Sequence, residues 1–256
     1  MVSGTVGDMT TGVVFRPQSP PEQLRSAVES AEAAGVDELW LWEDCFLEGG
    51  LTSAAAALAW SERITVGIGL LPVPFRNPAL AAMELATLAG LFPGRLTVAL
   101  GHGVQHWMRQ VGAAVDSPMT LLREHTTAVR ALLAGETVDV QGRYVALDQV
   151  TLDWPPAQPP RLLIGARGPK TVALAAEISD GVLLDTITDP DVVRRAREAV
   201  GGAHVAAYTP IESGRTPDEI RGWVAELEAA GANSVILQGT DDHPDHLPLI
   251  QALGSS

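Results

Sequence analysis

The sequence predicts an α/β protein built as a single (β/α)8 TIM barrel, and three observations support this fold class. Eight short apolar segments alternate with about eight segments of helical periodicity along the 256 residues. Such alternation implies a parallel sheet, and eight strands favour its closure into a barrel. No Gly-x-Gly-x-x-Gly motif follows the first strand, which disfavours a doubly wound dinucleotide-binding fold. We therefore predict one domain over residues 1–256, in which the polar residues 1–10 are loose.

The first four strand–helix units are predicted from short apolar runs followed by amphipathic segments. Each predicted helix repeats apolar residues every three or four positions, and proline or glycine marks most helix ends. The predicted strands are residues 12–15, 38–42, 64–71 and 95–103. The predicted helices are residues 20–35, 52–61, 78–91 and 104–133, the last of them broken at Pro118.

The second half of the chain departs from this alternation once. Residues 136–160 contain short alternating runs around Gln141 and Gly142 and end in prolines, which predicts a small β-hairpin excursion before strand 5. The remaining predicted strands are residues 162–164, 182–184, 204–209 and 234–238. The remaining predicted helices are residues 169–178, 190–200, 217–230 and 246–253. Four tryptophans in periodic segments are predicted to be core residues: Trp40, Trp42, Trp60 and Trp223.

Composition narrows the class of function. The formal net charge is −14, so the chain lacks the basic surface that binding to nucleic acid or to an anionic membrane requires. Cys45 is the only cysteine, which excludes an internal disulfide and a cysteine-rich zinc site. No apolar run approaches the ~20 residues of a membrane span, and the N-terminus does not resemble a secretory signal. We expect a cytoplasmic protein that acts on a small molecule.

Residues 161–185 show the strongest signal for a ligand. A short apolar strand runs into a glycine turn, and Pro169 suits the first position of the helix that follows. The free N–H groups at a helix N-terminus bind phosphate. Lys170, the only lysine in the chain, places a positive charge at the positive end of the helix dipole. This unfavourable position is easier to explain if an anion binds there. The alternative is an ordinary turn that needs glycine only for geometry. The predicted phosphate-binding residues are Gly165, Ala166, Arg167, Gly168, Pro169, Lys170 and Thr171.

Ligands of such barrels bind at the carboxyl ends of the strands. Glycine recurs at four of the predicted strand ends, including Gly69, Gly101 and Gly103. A mouth lined by glycine and apolar residues suits a flat ring system pressed against backbone, with a phosphate tail held by residues 165–171. Other residues at the predicted strand ends are Arg16, Asp185, Tyr208 and Gln238.

Several segments resemble one family, the bacterial luciferase-like flavin and deazaflavin oxidoreductases. The most specific is residues 64–103, with an Asn-Pro helix start and a Pro-Gly-Arg turn leading to a Gly-x-Gly loop. Residues 31–44 and 164–184 are similar to the family's second unit and to its phosphate-binding turn, and the hairpin also has a counterpart. The resemblance covers about residues 12–239.

The resemblance implies hydride transfer between a tricyclic cofactor and a small organic substrate. We expect the cofactor to be coenzyme F420, a deazaflavin. With FMN instead, the same scaffold would be a two-component monooxygenase. The resemblance also implies a homodimer formed through the helices after strands two and three, and an F420 or flavin reductase as a possible electron supplier.

The resemblance further implies roles for individual residues. A non-proline cis peptide at Gly69–Leu70 would form a bulge behind the cofactor ring, and Asp44 matches an aspartate whose neighbourhood faces that ring. The family's deazaflavin-dependent sugar and alcohol dehydrogenases have a histidine after that aspartate and a glutamate after the Gly-x-Gly loop. This chain has Cys45 and Val104 there, so we expect a different substrate.

The proton-transfer candidates are Asp44 and the two histidines beside the glycine loop, His102 and His106, because imidazole titrates near neutral pH. Packing or surface exposure is the alternative for both histidines. The predicted substrate side is Cys45, Phe46, Glu48 and Trp107, and Cys45 is interpreted as a small apolar residue instead of a nucleophile. The Asp-Asp-His-Pro-Asp-His run at 241–246 has metal-ligand residue types but favours a solvated acidic turn, and we predict no metal site.

Two other classes of function stay open at this point. A non-redox barrel enzyme, such as an isomerase or aldolase acting on a phosphorylated metabolite, would use the same phosphate turn. Lys170 already lies in that turn, which counts against Schiff-base chemistry. A barrel that binds a cofactor without turnover is the other alternative, because the dehydrogenase histidine and glutamate are missing.

Overall fold

The structure is a computed structural model that describes residues 9–254, and its centre is a closed barrel of eight parallel strands. The strands are β1 (Thr10–Val14), β2 (Glu38–Leu41), β3 (Thr65–Pro72), β4 (Leu96–Gly101), β5 (Val138–Gln141), β6 (Ala146–Val150), β7 (Arg161–Ala166), β8 (Gly181–Leu184), β9 (His204–Pro210) and β10 (Ser234–Gln238). Around the barrel the order is β1, β10, β9, β8, β7, β4, β3 and β2, while β5 and β6 form a separate antiparallel hairpin. The predicted barrel and hairpin are both confirmed.

Helices connect successive barrel strands and cover the outside of the barrel. They are α1 (Leu24–Ala34), α2 (Gly50–Ala59), α3 (Pro78–Leu91), α4 (Gln105–Gln110), α5 (Pro118–Leu133), α6 (Pro169–Ile178), α7 (Pro190–Val200), α8 (Pro217–Ala229) and α9 (Leu247–Leu253). Local chemistry sets several starts: the Asn77 side chain accepts a 2.9 Å hydrogen bond from the Ala79 N–H, and Thr216 with Glu219 forms a capping box. The break predicted at Pro118 is confirmed, because α5 begins there.

Apolar side chains form two cores, one on each face of the sheet. The larger core lies between the barrel and its helices, and the smaller one fills the barrel interior. A parallel strand in a barrel is buried on two faces, so its side chains contribute to both cores. For the same reason the strand sequences are continuous apolar runs. The interior core contains Val14, Trp40, Ala99, Leu163, Leu183, Ala206, Tyr208 and Ile236.

Trp40 explains one interior glycine. A Cβ atom at Gly67 would lie 2.1 Å from the Trp40 ring, so only glycine leaves room for the indole. The Trp40 Nε1 donates a 2.6 Å hydrogen bond to Glu38, which satisfies the buried indole. The Trp40 indole therefore packs directly against the backbone of Gly67 and fills part of the barrel interior.

The β5–β6 hairpin is attached to α5 through one carboxylate. Glu124 accepts hydrogen bonds from the backbone N–H groups of Arg143, Tyr144 and Val145, at 2.8, 2.8 and 3.0 Å. A Cβ atom at Gly142 would lie 2.6 Å from the same carboxyl group, so glycine is needed for this approach. The hairpin is thus held by charge-assisted hydrogen bonds to its turn.

Some predictions about elements were wrong. Thr10, expected in a loose segment, already begins β1, and residues 1–8 lie outside the described residues. Trp60, expected in the core, is 40% exposed at the end of α2, where its ring lies 5.9 Å from the Arg25 guanidinium. Trp42 and Trp223 are only partly buried, so Trp40 alone of the four is a fully buried core residue. Among residues 9–254, no helix combines the length and hydropathy needed to cross a bilayer.

Candidate functional site

The carboxyl ends of the barrel strands surround a cavity of about 530 Å³. Its wall combines apolar side chains, such as Trp42, Leu70 and Trp107, with several charged groups. A larger hollow of about 920 Å³ opens at the amino ends of the strands, beside Glu38 and His204. We place the functional site in the smaller cavity, because ligands of (β/α)8 barrels bind at the carboxyl ends of the strands.

The end of β3 forms one wall of this cavity through an unusual peptide bond. The bond between Gly69 and Leu70 is cis, as the family resemblance implied. The pairing of β3 with β4 shifts register between Gly69 and Leu71, so the strand bulges at this point. A second non-proline cis bond, between Cys45 and Phe46, shapes the loop after β2, and nothing in the sequence signalled it.

The Leu70 side chain reaches from this bulge toward two neighbouring strand ends. A Cβ atom at Gly101 would lie 2.5 Å from Leu70 Cδ2, and one at Gly165 would lie 2.6 Å from it. Glycine at both positions therefore makes room for Leu70. Gly103 and Gly165 line the cavity, whereas Gly101 lies behind Leu70. Gly103 also takes a φ of 67°, which turns the chain toward α4.

The glycine turn before α6 forms part of the cavity wall. Gly168 and Thr171 line it, and α6 begins at Pro169. Neither backbone strain nor crowding by the protein requires glycine at 168, because its φ is −120° and a Cβ atom there would meet nothing within 4 Å. Gly168 instead leaves open space in front of the helix N-terminus, where the backbone and the dipole favour an anion.

The charged side chains of this turn divide between two positions. Arg167 lines the cavity, but its Nε donates a 2.7 Å hydrogen bond to Asp185, and its Nη2 contacts the same carboxylate. Pro169 and Lys170 are exposed and lie outside the cavity lining, while Ala166 belongs to it. The backbone of the turn therefore faces the cavity more directly than its lysine does.

Asp44 follows β2 and lies in the cavity wall. The Trp42 Nε1 donates a 3.0 Å hydrogen bond to Asp44 Oδ2. Burial raises the pKa of the Asp44 carboxyl above its ordinary value, and the nearby Asp185 charge raises it further, against the opposing effects of the Trp42 bond and of Arg16. Asp44 is thus a carboxyl group with a weakened preference for the ionised form.

Behind Asp44 lies an ion pair that sequence reasoning missed. Arg76 donates two hydrogen bonds to Glu43, at 2.6 and 2.9 Å, and a third to Glu84, at 3.2 Å. Glu43 also accepts a 2.8 Å bond from the Gly50 N–H. This network fixes both ends of the loop from 43 to 50, on which Asp44 lies. Its only sequence signal was the position of Glu43 after a predicted strand.

The two histidine candidates differ in their surroundings. His102 lines the cavity, its Nδ1 is buried without a partner, and burial lowers its pKa, so the ring is neutral near pH 7. His106 is exposed on α4 and is outside the cavity lining. Of the two, only His102 lies where it can contact a bound molecule.

Of the residues predicted for the substrate side, only Trp107 lines the cavity. Trp107 and Val104 line the cavity, whereas Cys45, Phe46 and Glu48 are outside its lining. Phe46 is 65% exposed, and burial raises the pKa of the Cys45 thiol, which agrees with an unreactive cysteine. Glu48 accepts a 3.3 Å hydrogen bond from Ser53, and burial raises the pKa of its carboxyl group.

The acidic run after β10 does not converge on one point. Asp241, Asp242, His243 and Asp245 are exposed, while His246 is buried against the Phe15 ring at a centroid distance of 5.4 Å. In residues 9–254 no group of three or more histidine, cysteine, aspartate or glutamate side chains is arranged to hold a metal ion.

Comparison with known proteins shows the family of the chain. The model of the luciferase-like monooxygenase family matches residues 4–234. The chain belongs to this family. The matched range includes the cis bond at Gly69–Leu70, the bulge of β3 and the glycine turn before α6.

Named members of the luciferase-like family are similar over much of the chain. A 5,10-methylenetetrahydromethanopterin reductase from Methanolobus tindarius is 30% identical over 80% of this chain and 62% of its own length. An F420-dependent glucose-6-phosphate dehydrogenase from Microbacterium testaceum is 30% identical over 68% of this chain and 56% of its own length. The chain thus spans between half and two thirds of the curated relatives it matches.

A solved structure confirms the fold across almost the whole chain. The coenzyme F420 dependent tetrahydromethanopterin reductase from Methanopyrus kandleri superposes with a TM-score of 0.81. The alignment covers 97% of this chain and 98% of that chain, at 18% sequence identity. At this identity the likeness establishes the luciferase-like barrel and nothing about substrate.

Proposed function

We propose that this luciferase-like protein is an oxidoreductase that transfers a hydride between coenzyme F420 and a small organic substrate. One observation supports this proposal above the others: the Gly69–Leu70 bulge and the open N-terminus of α6 line the same cavity. A flat ring joined to a phosphate needs both features, and F420 and FMN each have both. The named relatives favour F420, because the dehydrogenase from Microbacterium testaceum and the reductase from Methanopyrus kandleri are described as dependent on it.

The residues of the cavity fit such a cofactor. Trp42, Leu70 and Val104 supply apolar surface for a ring, and the space in front of Gly168 admits an anion. In this proposal Gly69 and Leu70 support the ring, while the backbone from Gly168 to Thr171 holds the phosphate. When bound, F420 supplies a two-electron hydride carrier.

Proton transfer falls to this chain's own side chains. Asp44 and His102 both line the cavity, and burial raises the pKa of the Asp44 carboxyl and lowers the pKa of the His102 imidazole, so the neutral imidazole can accept a proton and Asp44 is the second candidate for exchanging one. Cys45 and Val104 stand where the sugar and alcohol dehydrogenases of the resemblance carry their histidine and glutamate. We therefore propose a substrate other than a sugar or a simple alcohol.

The cofactor assignment is tested by titrating the tryptophan fluorescence with F420 and with FMN. We expect F420 to bind more tightly. Gly168→Asp should weaken binding, because it places a carboxylate in the open space before α6. The matched control is Gly202→Asp, whose Cβ atom also meets nothing within 4 Å but which lies at the far end of α7. Lys170→Ala tests whether the exposed lysine adds to phosphate binding.

The other outcomes of the fluorescence titration would support different functions. Tighter binding of FMN would replace the proposal with a two-component monooxygenase that needs a flavin reductase. If neither cofactor binds below about 100 μM, equivalent to about −5.5 kcal/mol, the redox function fails. The non-redox barrel acting on a phosphorylated metabolite would then take its place.

We also propose a cytoplasmic homodimer, with an F420 reductase as electron supplier. Leu80, Met83 and Leu91 are exposed on one side of α3, the helix after β3, and together form an apolar strip. A partner subunit would cover that strip. Sedimentation velocity should show a dimer that Met83→Glu dissociates, and Thr87→Glu, four residues further along the same exposed face, should dissociate it as well. A wild-type monomer would contradict this part of the proposal.

A further inference from the structure

Arg16, at the carboxyl end of β1, is a buried cation with few partners. Its residue exposure is 7%, although it lines the cavity. Nη1 donates a 3.1 Å hydrogen bond to the Gly239 carbonyl oxygen, Nη2 contacts Asp241, and Nε is buried with no partner. A guanidinium has five N–H donors, and leaving them unpaired away from water is costly. The structure therefore leaves Arg16 with capacity to bind more.

The one carboxylate that contacts Arg16 is weakly held. The Asp241 side chain is 93% exposed and lies in the loop after β10. An ion pair with one exposed partner contributes little stability, because water solvates the carboxylate almost as well. Asp241 can therefore leave Arg16 at little cost when another anion arrives.

The surroundings of Arg16 place such an anion within the site. The guanidinium carbon lies 5.9 Å from the centre of the Trp42 ring, and Trp42 donates its indole hydrogen bond to Asp44. A molecule bound to Arg16 would thus lie next to the carboxyl group proposed for proton transfer. Arg167, another cation in the lining, is already tied to Asp185 through two nitrogens.

We propose that Arg16 binds the carboxylate of the substrate, and that Asp241 occupies this position until the substrate displaces it. The inference rests on the proposed function and deepens it, since it names the substrate class as a small organic acid. Arg forms paired hydrogen bonds with carboxylates, which makes it selective for them over neutral analogues of the same shape.

A purely structural role for Arg16 makes a different prediction. In that case Arg16 would only tie the end of β1 to the loop after β10, and the Gly239 bond would suffice. Removing the Asp241 charge would then leave ligand binding unchanged. In our proposal the same change removes an internal competitor, so binding of a carboxylate becomes tighter.

The test is calorimetric titration with benzoate and with benzamide, which match in shape and differ in charge. It is done with the protein alone and with the protein loaded with F420. We expect benzoate to bind more tightly than benzamide, and Asp241→Asn to tighten benzoate binding about 2- to 5-fold. Asp242→Asn is the matched control, because it removes an adjacent exposed charge that does not contact Arg16, and it should leave binding unchanged.

Arg16 itself is tested in parallel. Arg16→Gln should abolish the preference for benzoate, with a loss of about tenfold or more. Arg109→Gln, an exposed arginine on α4, should retain the preference. If Arg16→Gln does not fold, the comparison of Asp241→Asn with Asp242→Asn decides the question by itself.

Three results would overturn the inference. The first is equal binding of benzoate and benzamide, and the second is an Asp241→Asn variant that binds benzoate no better than wild type. The third is loss of F420 binding in Arg16→Gln, which would assign Arg16 to the cofactor. Failure of F420 to bind the wild type would instead remove the proposed function, and the titrations without cofactor would still test Arg16.

Discussion

The Tyr208 hydroxyl occupies the space that a side chain at Gly69, the residue before the bulge, would need. A Cβ atom at Gly69 would lie 2.3 Å from Tyr208 Oη, which is buried without a hydrogen-bond partner. Burial raises the pKa of Tyr208 well above its ordinary value, so the phenol stays protonated. Tyr208 also packs edge-on against Trp40, at a centroid distance of 5.5 Å. The barrel interior therefore dictates glycine at the position that supports the proposed cofactor ring.

Gly69→Ala should destabilise the protein and weaken cofactor binding. The new methyl group would collide with Tyr208 and Leu183, and overpacking of this kind costs about 1–3 kcal/mol. Urea unfolding measures the loss. Gly90→Ala on α3 is the matched control: its Cβ atom meets nothing within 4 Å, so alanine should stabilise the helix by up to about 1 kcal/mol. Unchanged stability in Gly69→Ala would show that the interior has more room than the structure indicates.

Glu43→Gln should lower the free energy of unfolding substantially. The change removes the Glu43 charge from the half-buried Arg76 guanidinium, which keeps only Glu84 as a charged partner, and breaking a buried ion pair costs about 3 kcal/mol. The exposed pair of Arg25 and Glu29 is the comparison, because Glu29→Gln should change stability by less than about 0.5 kcal/mol. Similar effects in urea unfolding for the two variants would contradict a structural role of the Glu43–Arg76 pair.

His125 should make stability fall as pH falls. Burial lowers the pKa of His125 to about 4 in the folded protein, from 6.5 for an ordinary histidine. Below pH 6.5 the unfolded chain takes up a proton that the folded protein refuses, so stability present above pH 6.5 is lost down to about pH 4. The contribution is about 3 kcal/mol at most. Unfolding of His125→Gln at pH 7.5 and 4.5 should show a smaller decrease than wild type.

The control for that pH effect is His243→Gln, because His243 is exposed. Its decrease between the two pH values should equal that of wild type. His204, whose pKa burial lowers to about 3, should behave like His125 when changed to asparagine. A wild-type decrease in both buried-histidine variants would show that other groups, such as carboxylates, control acid stability.

Glu124→Gln should loosen the β5–β6 hairpin without unfolding the barrel. The backbone N–H groups of Arg143, Tyr144 and Val145 would lose a charged acceptor, and each such bond contributes about 1.5–3 kcal/mol. Hydrogen exchange of these three amides should accelerate about tenfold or more, while amides of β7 keep their rates. Glu136→Gln, an exposed residue after α5, should change neither.

Much of the candidate site could be predicted from the sequence, because it lies at strand ends. Gly69, Leu70, Gly165 and Gly168 each follow or end an apolar run, and the order of strands along the chain places those ends together. Apart from the loose segment expected at Thr10, which begins β1, the predictions that failed concern side chains. Trp60 follows the helical spacing of the buried residues of α2, but it is the residue that ends this helix. There its ring lies against the Arg25 guanidinium instead of in the core.

The sequence by itself determined the alternation of strands and helices, the hairpin excursion and the side of the barrel that carries the site, because each depends on local periodicity or turn chemistry. Only the tertiary structure decided that Arg16 contacts Asp241, that Arg76 pairs with Glu43, and that Tyr208 requires Gly69. Asp241 lies 225 positions from Arg16 and Glu43 lies 33 positions from Arg76, and no periodic pattern in the sequence encodes such contacts. Closure of the barrel brings them together, and the charges that govern the chemistry of the cavity follow from that closure.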